Sequence, residues 1–338
     1  MRSVEAPRSW TTPEKHYLTV LEHPWYRNLT VLQDIVAHST TEFWTKRGAR
    51  FLHLPITTGS ISSPMGRGSD STPVKVDLEG VPTYLADSMQ FMLEFGCRLA
   101  PGGSYYLMPS FRGEPADETH LCQFFHSEAE IQGGLDDVME TVEAYLRHLA
   151  ASFLEHGQRE LLEMAGTVDH LEHMASAAAL PRVSFDEAVG MLKGLEGAVR
   201  EMEPDCRSLT RSGERALMDK FGGYVWLTHP DHLSVPFYQA FAPHDERKAL
   251  SADLLFGIGE TIGAGERHTT VEDLRRSLDL HQVPEEDYEW YVNMNAYHPM
   301  RTSGFGLGVE RLLLWAAQHD DIRDLALLLR FNGTDILP

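Results

Sequence analysis

Apolar positions Leu32, Ile35, Val36 and Phe43 recur at helical spacing between Asn28 and Lys46, which predicts a helix there. It leads into Phe51-Leu52-His53-Leu54-Pro55-Ile56, a strand whose proline suits a sheet edge. Shorter alternating or apolar runs predict further strands: PVKVDL at 73–78, YYLMPSFR at 105–112, QFFHSEAEI at 123–131, YVWL at 224–227, PFY at 236–238 and ADLLF at 252–256. The second and third of these are predicted to pair antiparallel across a polar loop. Residues 81–93 read as a strand entering a helix capped by Asp87 or Ser88. Residues 134–165 and 271–281 read as helices. Residues 166–220 read as a helical insertion, with Ser184 and Glu187 forming a capping box. Residues 1–27 form a polar arm, and 57–72, rich in Gly and Ser, a mobile loop that is either a linker or a lid. Hairpin-length links and grouped helices predict an α+β fold, an antiparallel sheet flanked by helices, over 28–338.

One stretch near the C-terminus has a different pattern. Ser303-Gly304-Phe305-Gly306-Leu307-Gly308-Val309-Glu310-Arg311 puts glycine on alternate positions of a strand, then starts an apolar helix. Such a strand suits close approach of a ligand to backbone, and Arg311 in the first helical turn supplies a cation beside it. This is not a dinucleotide fingerprint, because only 30 residues follow Gly308 and that fold needs more strands. No GK[ST] occurs, so a Walker loop is absent as well.

Composition narrows the function classes. The chain has 338 residues, 29 basic against 50 acidic, and a formal charge of -21. That balance argues against a large RNA footprint but leaves room for a small anionic ligand held by a few arginines. Its three cysteines show no CxxC spacing, which predicts a reducing, cytoplasmic setting without disulfides or zinc. No run has the length of a membrane span. Asp253 and Glu260 flank a strand-turn and together suit magnesium, which prefers carboxylate and phosphate oxygens.

Several segments occur together in one order: YLADSMQF, FRGEPADETHLCQFFHSEAEI, PRVSFDEAVGML, DLLFGIGETIGAGER, SGFGLGVERLLLW and IRDLALLLR. That order resembles the catalytic core of class II aminoacyl-tRNA synthetases, closest to the asparaginyl branch and its stand-alone asparagine synthetase paralogues. The resemblance covers about 28–338. It implies ATP and Mg2+ as cofactors, with Arg112, Glu114, His120, Phe124, Glu260, Gly306, Gly308 and Arg311 around the nucleotide. Arg112 would meet the α-phosphate and Arg311 the γ-phosphate, the two catalytic cations. Asp253 and Glu260 would hold the metal. Ser88, Gln90, Arg267 and His268 would line the amino-acid pocket. The family's dimer interface falls at about 28–56, implying a homodimer.

The departures set the functional expectation. Nothing before residue 28 matches the family's anticodon domain. Thr119 stands where asparaginyl enzymes have Arg, Gln123 where they have Glu, and Leu93 where aspartyl enzymes have Lys. The sequence therefore leads to ATP-dependent, AMP-forming activation of an amino acid, aspartate first, with transfer to ammonia or a small amine and tRNA not a partner. The alternatives are a specialised amide ligase for a non-standard acid, a truncated synthetase paralogue acting on tRNA, and a non-catalytic nucleotide- or amino-acid-binding module.

Overall fold

A computed structural model describes residues 2–63, 67, 71–203 and 206–336. Its centre is an eight-stranded sheet. The strands are β1 (Arg50–Phe51), β2 (Ser104–Phe111), β3 (Gln123–Gln132), β4 (Arg182–Ser184), β5 (Val225–Thr228), β6 (Ser251–Phe256), β7 (Gly259–Glu266) and β8 (Thr302–Gly308). They lie in the order β1-β2-β3-β8-β7-β6-β5-β4. The six inner strands are antiparallel, while β1 joins β2 and β4 joins β5 in parallel.

The two faces of this sheet differ because side chains alternate across it. On one face Tyr105, Leu107, Ala129, Phe305, Leu307, Ala264, Ile262 and Leu254 join the principal hydrophobic core. Two long helices cover that face. In α1 (Pro24–Lys46), Pro24 sits at the helix start, where a missing N–H costs nothing, and Trp25, Leu29, Leu32, Val36 and Trp44 are buried. In α3 (Leu135–His156), Val138, Val142, Tyr145, Leu149 and Phe153 form the matching stripe. Thr40 of α1, Ser127 of β3 and Tyr145 of α3 join their hydroxyls at 2.5 and 2.8 Å, so helices and sheet are also tied by polar bonds.

The opposite face lacks side chains at its centre. Register places Gly263 opposite Gly306 and Gly265 opposite Gly304. Glu128 and Glu130 lie across from Gly306 and Gly304 on the other side, and Asp253 lies across from Gly263. The result is a glycine trough with acids along both borders. Helix α2 (Gln90–Leu99) packs beside it, and a three-stranded sheet of Thr57–Thr58, Val74–Leu78 and Val81–Leu85 lies alongside in the chain.

Some expectations change. Residues 8–16 pack closely: Ser9 bonds Tyr26 at 2.8 Å, and Arg8 bonds Asp320 and Asp321. Of the 51–56 segment only Phe51 belongs to a strand of the sheet, β1 being Arg50–Phe51, and Pro236-Phe237-Tyr238 forms no strand. The 166–220 segment is mixed, carrying β4 and a hairpin of Val199–Glu203 with Cys206–Leu209 besides its helices. Its last helix is α4 (Arg211–Lys220). The N-cap of α2 is Met89, which gives no side-chain bond, while the Ser88 hydroxyl accepts from the Gln90 amide at 3.2 Å. Asp87 instead accepts from the Ser62 and Ser63 amides at 3.0 and 2.7 Å, pinning the start of the Gly/Ser loop. Helices α5 (Val271–His281) and α6 (Glu289–Tyr297) precede β8, and α7 (Val309–Ala316) follows it.

Candidate active site

The end of the trough where the sequence leads one to expect the nucleotide, the nucleotide end below, is built by β2, β3, β7 and the first turn of α7. Arg112 follows β2, and its guanidinium lies 5.6 Å from the centre of the Phe124 ring. Its Nε is buried without a hydrogen-bond partner among the described residues. Arg311 reaches the carbonyl of Glu260. Burial holds its pKa below the usual arginine value; Glu260 opposes the shift and Arg112 adds to it. Two neighbouring guanidiniums, one with an orphaned buried donor, fit an anion better than any feature of the protein itself.

The carboxylates converge where a metal would be useful. A Cβ built on Gly263 would lie 3.2 Å from Glu260 Oε1 and 3.7 Å from Asp253 Oδ1, so both acids overhang the same point. No group of three protein ligands exists among the described residues. Asp253 and Glu260 therefore fit a magnesium ion that takes its other oxygens from phosphate and water. His120, Cys122 and His126 do not gather into one group among the described residues. His126 instead lies 2.9 Å from Ser110 and 3.0 Å from Glu128, and Cys122 Sγ donates to the Arg330 carbonyl.

The remaining nucleotide candidates divide. Gly306 keeps the trough open, since a Cβ there would project into it and lie 3.0 Å from Glu128 Oε1, a tight contact to which the carboxylate would have to yield. Gly308 ends the trough and serves as N-cap of α7. Glu114 accepts from the Thr72 amide, fixing the far end of the Gly/Ser loop, while its Oε2 is buried and unpaired among the described residues. His120 sits on the loop between β2 and β3 against Asp117 and Thr119. Burial lowers its pKa, and the nearby Arg311 adds to that effect.

The other end, where the amino acid is expected, is built differently. Arg267 is buried and grips Glu130 with Nε and Nη2 at 3.1 and 2.9 Å, while Nη1 donates to Gln239 at 3.1 Å. Glu94 of α2 lies 3.9 Å from Arg267 and accepts from the Tyr291 hydroxyl at 2.8 and 3.0 Å. Burial and the charge of Glu130 push the Glu94 pKa up, with Arg267 opposing. Ser88 donates to Glu128 at 2.5 Å, and the Gln90 Nε2 is buried without a partner among the described residues. His268 Nε2 bonds the Phe237 carbonyl at 3.1 Å, beside Phe241 and His232. Burial drives its pKa down to about 3, so it is a neutral ring within the packing behind Arg267.

A family model for class II tRNA synthetases (D, K and N) matches residues 10–331. The chain belongs to this family. It is 30% identical over 329 residues to an asparagine–tRNA ligase of Koribacter versatilis, spanning 93% of this chain and 72% of that one. A second asparagine–tRNA ligase, from Sorangium cellulosum, is 27% identical over 333 residues. Among solved structures, asparaginyl-tRNA synthetase from Pyrococcus horikoshii with asparaginyl-adenylate superposes at TM-score 0.86, with 26% identity, covering 96% of this chain and 73% of that one. Members of the family are ATP-dependent, amino-acid-adenylating ligases that use ATP and Mg2+.

These comparisons overturn the expectation that tRNA is not a partner and that ammonia or a small amine takes its place. The relatives are named as tRNA ligases. The acidic net charge of -21 misled because it sums the whole surface, while phosphate contacts depend on local cations. No helix among the described residues is long and apolar enough to cross a membrane.

Sequence reasoning missed Glu94, Glu128, Glu130 and Gln239. Glu128 and Glu130 alternate on β3 with Ser127 and Ala129, a pattern indistinguishable from a solvated strand face until Gly304 and Gly306 lie opposite.

Proposed function

We propose that this protein activates asparagine with ATP and passes the asparaginyl group to tRNA. The observation that carries the choice of amino acid is the floor of the pocket: one guanidinium, Arg267, against two buried acids, Glu130 and Glu94. Arg267 is already neutralised, so the carboxylate of aspartate would add a third acid in a dry site, at a cost of several kcal/mol. A carboxamide suits the same groups. Three of the five N–H donors of Arg267 are engaged by Glu130 and Gln239, leaving two for an amide oxygen. The amide NH2 has carboxylate acceptors beside it.

At the other end, Arg112 and Arg311 would bracket the triphosphate and stabilise charge gathering on it. The amino-acid carboxylate forms a bond to the α-phosphorus as the bond to the β-phosphate oxygen breaks and pyrophosphate leaves. Phe124 offers its ring to the adenine. A ribose hydroxyl at the tRNA terminus then attacks the acyl carbon, its proton passing to a phosphate oxygen of the AMP, which departs with the bonding electrons. Magnesium, held by Asp253 and Glu260, would neutralise phosphate charge.

Amino-acid-dependent ATP–pyrophosphate exchange, followed by charging of total tRNA with labelled asparagine or aspartate, tests the reading. Asparagine should support both. Faster exchange with aspartate, or adenylate formation without label on tRNA, would refute it.

A further inference from the structure

The insertion between α3 and β5 reaches the nucleotide end through the first turn of α4. The helix starts at Arg211, with the Thr210 hydroxyl accepting from the Gly213 amide at 3.3 Å. Nη2 of Arg211 sits on the loop between β2 and β3: it bonds Thr119 Oγ1, lies 3.0 Å from His120 Nδ1, and is 3.4 Å from Asp117 Oδ2. Nη1 is 3.8 Å from Glu118. Among the described residues all contacts of this guanidinium within hydrogen-bond distance use Nη2. Its side chain is 50% exposed, so donors remain for a ligand.

One turn along the same face of α4, the Glu214 carboxylate overhangs Gly259 at the start of β7, where a Cβ would collide with its Oε2, so it lies beside Glu260 and near Arg311. The first turn of α4 thus faces the metal acids and the phosphate cation together. The charge of Arg211 is felt there too, opposing protonation of both Arg311 and His120. Like charges collected in a partly desolvated place are unfavourable on their own and favourable around a polyanion.

We propose that Arg211 is a third triphosphate cation, which holds the terminal phosphate of ATP and the departing pyrophosphate from the insertion side. The insertion is then part of the nucleotide site, and the loop carrying His120 is held against α4 by the residue that meets the phosphate. The proposal rests on the adenylation common to the family and is independent of which amino acid or acceptor is used.

The test measures binding of ATP, pyrophosphate and AMP to the full chain by calorimetry with magnesium, alongside exchange kinetics. Arg211→Ala should weaken ATP and pyrophosphate about tenfold, a typical loss for one charged contact. AMP, which lacks the terminal phosphates, should change less than twofold, as should the KM for the amino acid. Arg211→Lys should fall between. Thr119→Arg introduced into Arg211→Ala should restore most of the ATP affinity, because Thr119 is the residue Arg211 touches. Equal weakening of ATP and AMP would show that Arg211 only positions the loop and would overturn the proposal. So would unchanged ATP affinity, or an absence of rescue. Should Arg211→Ala not fold, Arg211→Gln is judged by the same ratio of ATP to AMP affinity. Absence of exchange with every amino acid would count against adenylation, while the nucleotide affinities would still decide the role of Arg211.

Discussion

The two ends of the trough each hold a buried or half-buried arginine, and they use it in opposite ways. At the nucleotide end, Arg112 keeps an unpaired buried Nε and Arg311 bonds only a main-chain carbonyl among the described residues. At the amino-acid end, Arg267 is bound bidentately by Glu130 and again by Gln239. A guanidinium whose donors no carboxylate holds is a site for an anion. One already neutralised is a rigid donor for a dipole. The contrast predicts that substitutions at the first end will damage function and spare the fold, whereas those at the second will damage both.

The largest functional loss should come from Arg311→Ala. Exchange should fall by roughly 10³-fold or more, the scale for a cation on a transferring phosphoryl group, with little change in thermal unfolding. Near-normal exchange would erase the distinction between the two ends. Arg267→Ala should lower stability by about 3–5 kcal/mol by leaving Glu130 and Glu94 buried and uncompensated, which a fall in Tm would register. If Tm is unchanged, the pocket is wetter than the buried contacts imply. Gly306→Ala brings a methyl to Glu128 and into the trough; KM for ATP should rise about tenfold with kcat less affected. An unaltered KM would place the nucleotide elsewhere on the sheet.

The smallest effect concerns pH. The folded-state pKa of Glu94 is raised, so the folded protein binds its proton more tightly than the unfolded chain. Its contribution to stability is therefore lost as pH rises from the ordinary carboxylate range toward the raised value. Glu94→Gln should flatten that part of the stability–pH curve. An unchanged slope in denaturant titrations at several pH values would mean that Glu94 is not the group responsible.

Much of this was legible in the chain. Alternate glycines announced a bare strand because backbone approach leaves a direct mark on composition. The capping box of Ser184 and Glu187 also forms as its spacing indicates. Other features carry no local mark. Glu94 sits in the apolar run QFMLEFGCRL, where a single acid reads as surface until Tyr291, about 200 positions away in sequence, closes over it. Arg211 opens an ordinary charged helix, and its meaning comes from a loop some 90 positions earlier. Asp87 looked like a helix cap because its spacing suits one, but the Ser62 and Ser63 amides compete for the same oxygens and win.

Phe305 stands between Gly304 and Gly306 and points to the other side of the sheet, where its ring lies 5.9 Å from Trp44 and 5.8 Å from Tyr145. The strand therefore has bulk behind it and nothing in front. A surface emptied of side chains is easily dented, and this aromatic backing makes it an anvil: stiff where it is bare. Thinning the backing, as in Phe305→Leu, would soften the platform from behind without touching anything that meets the ligand.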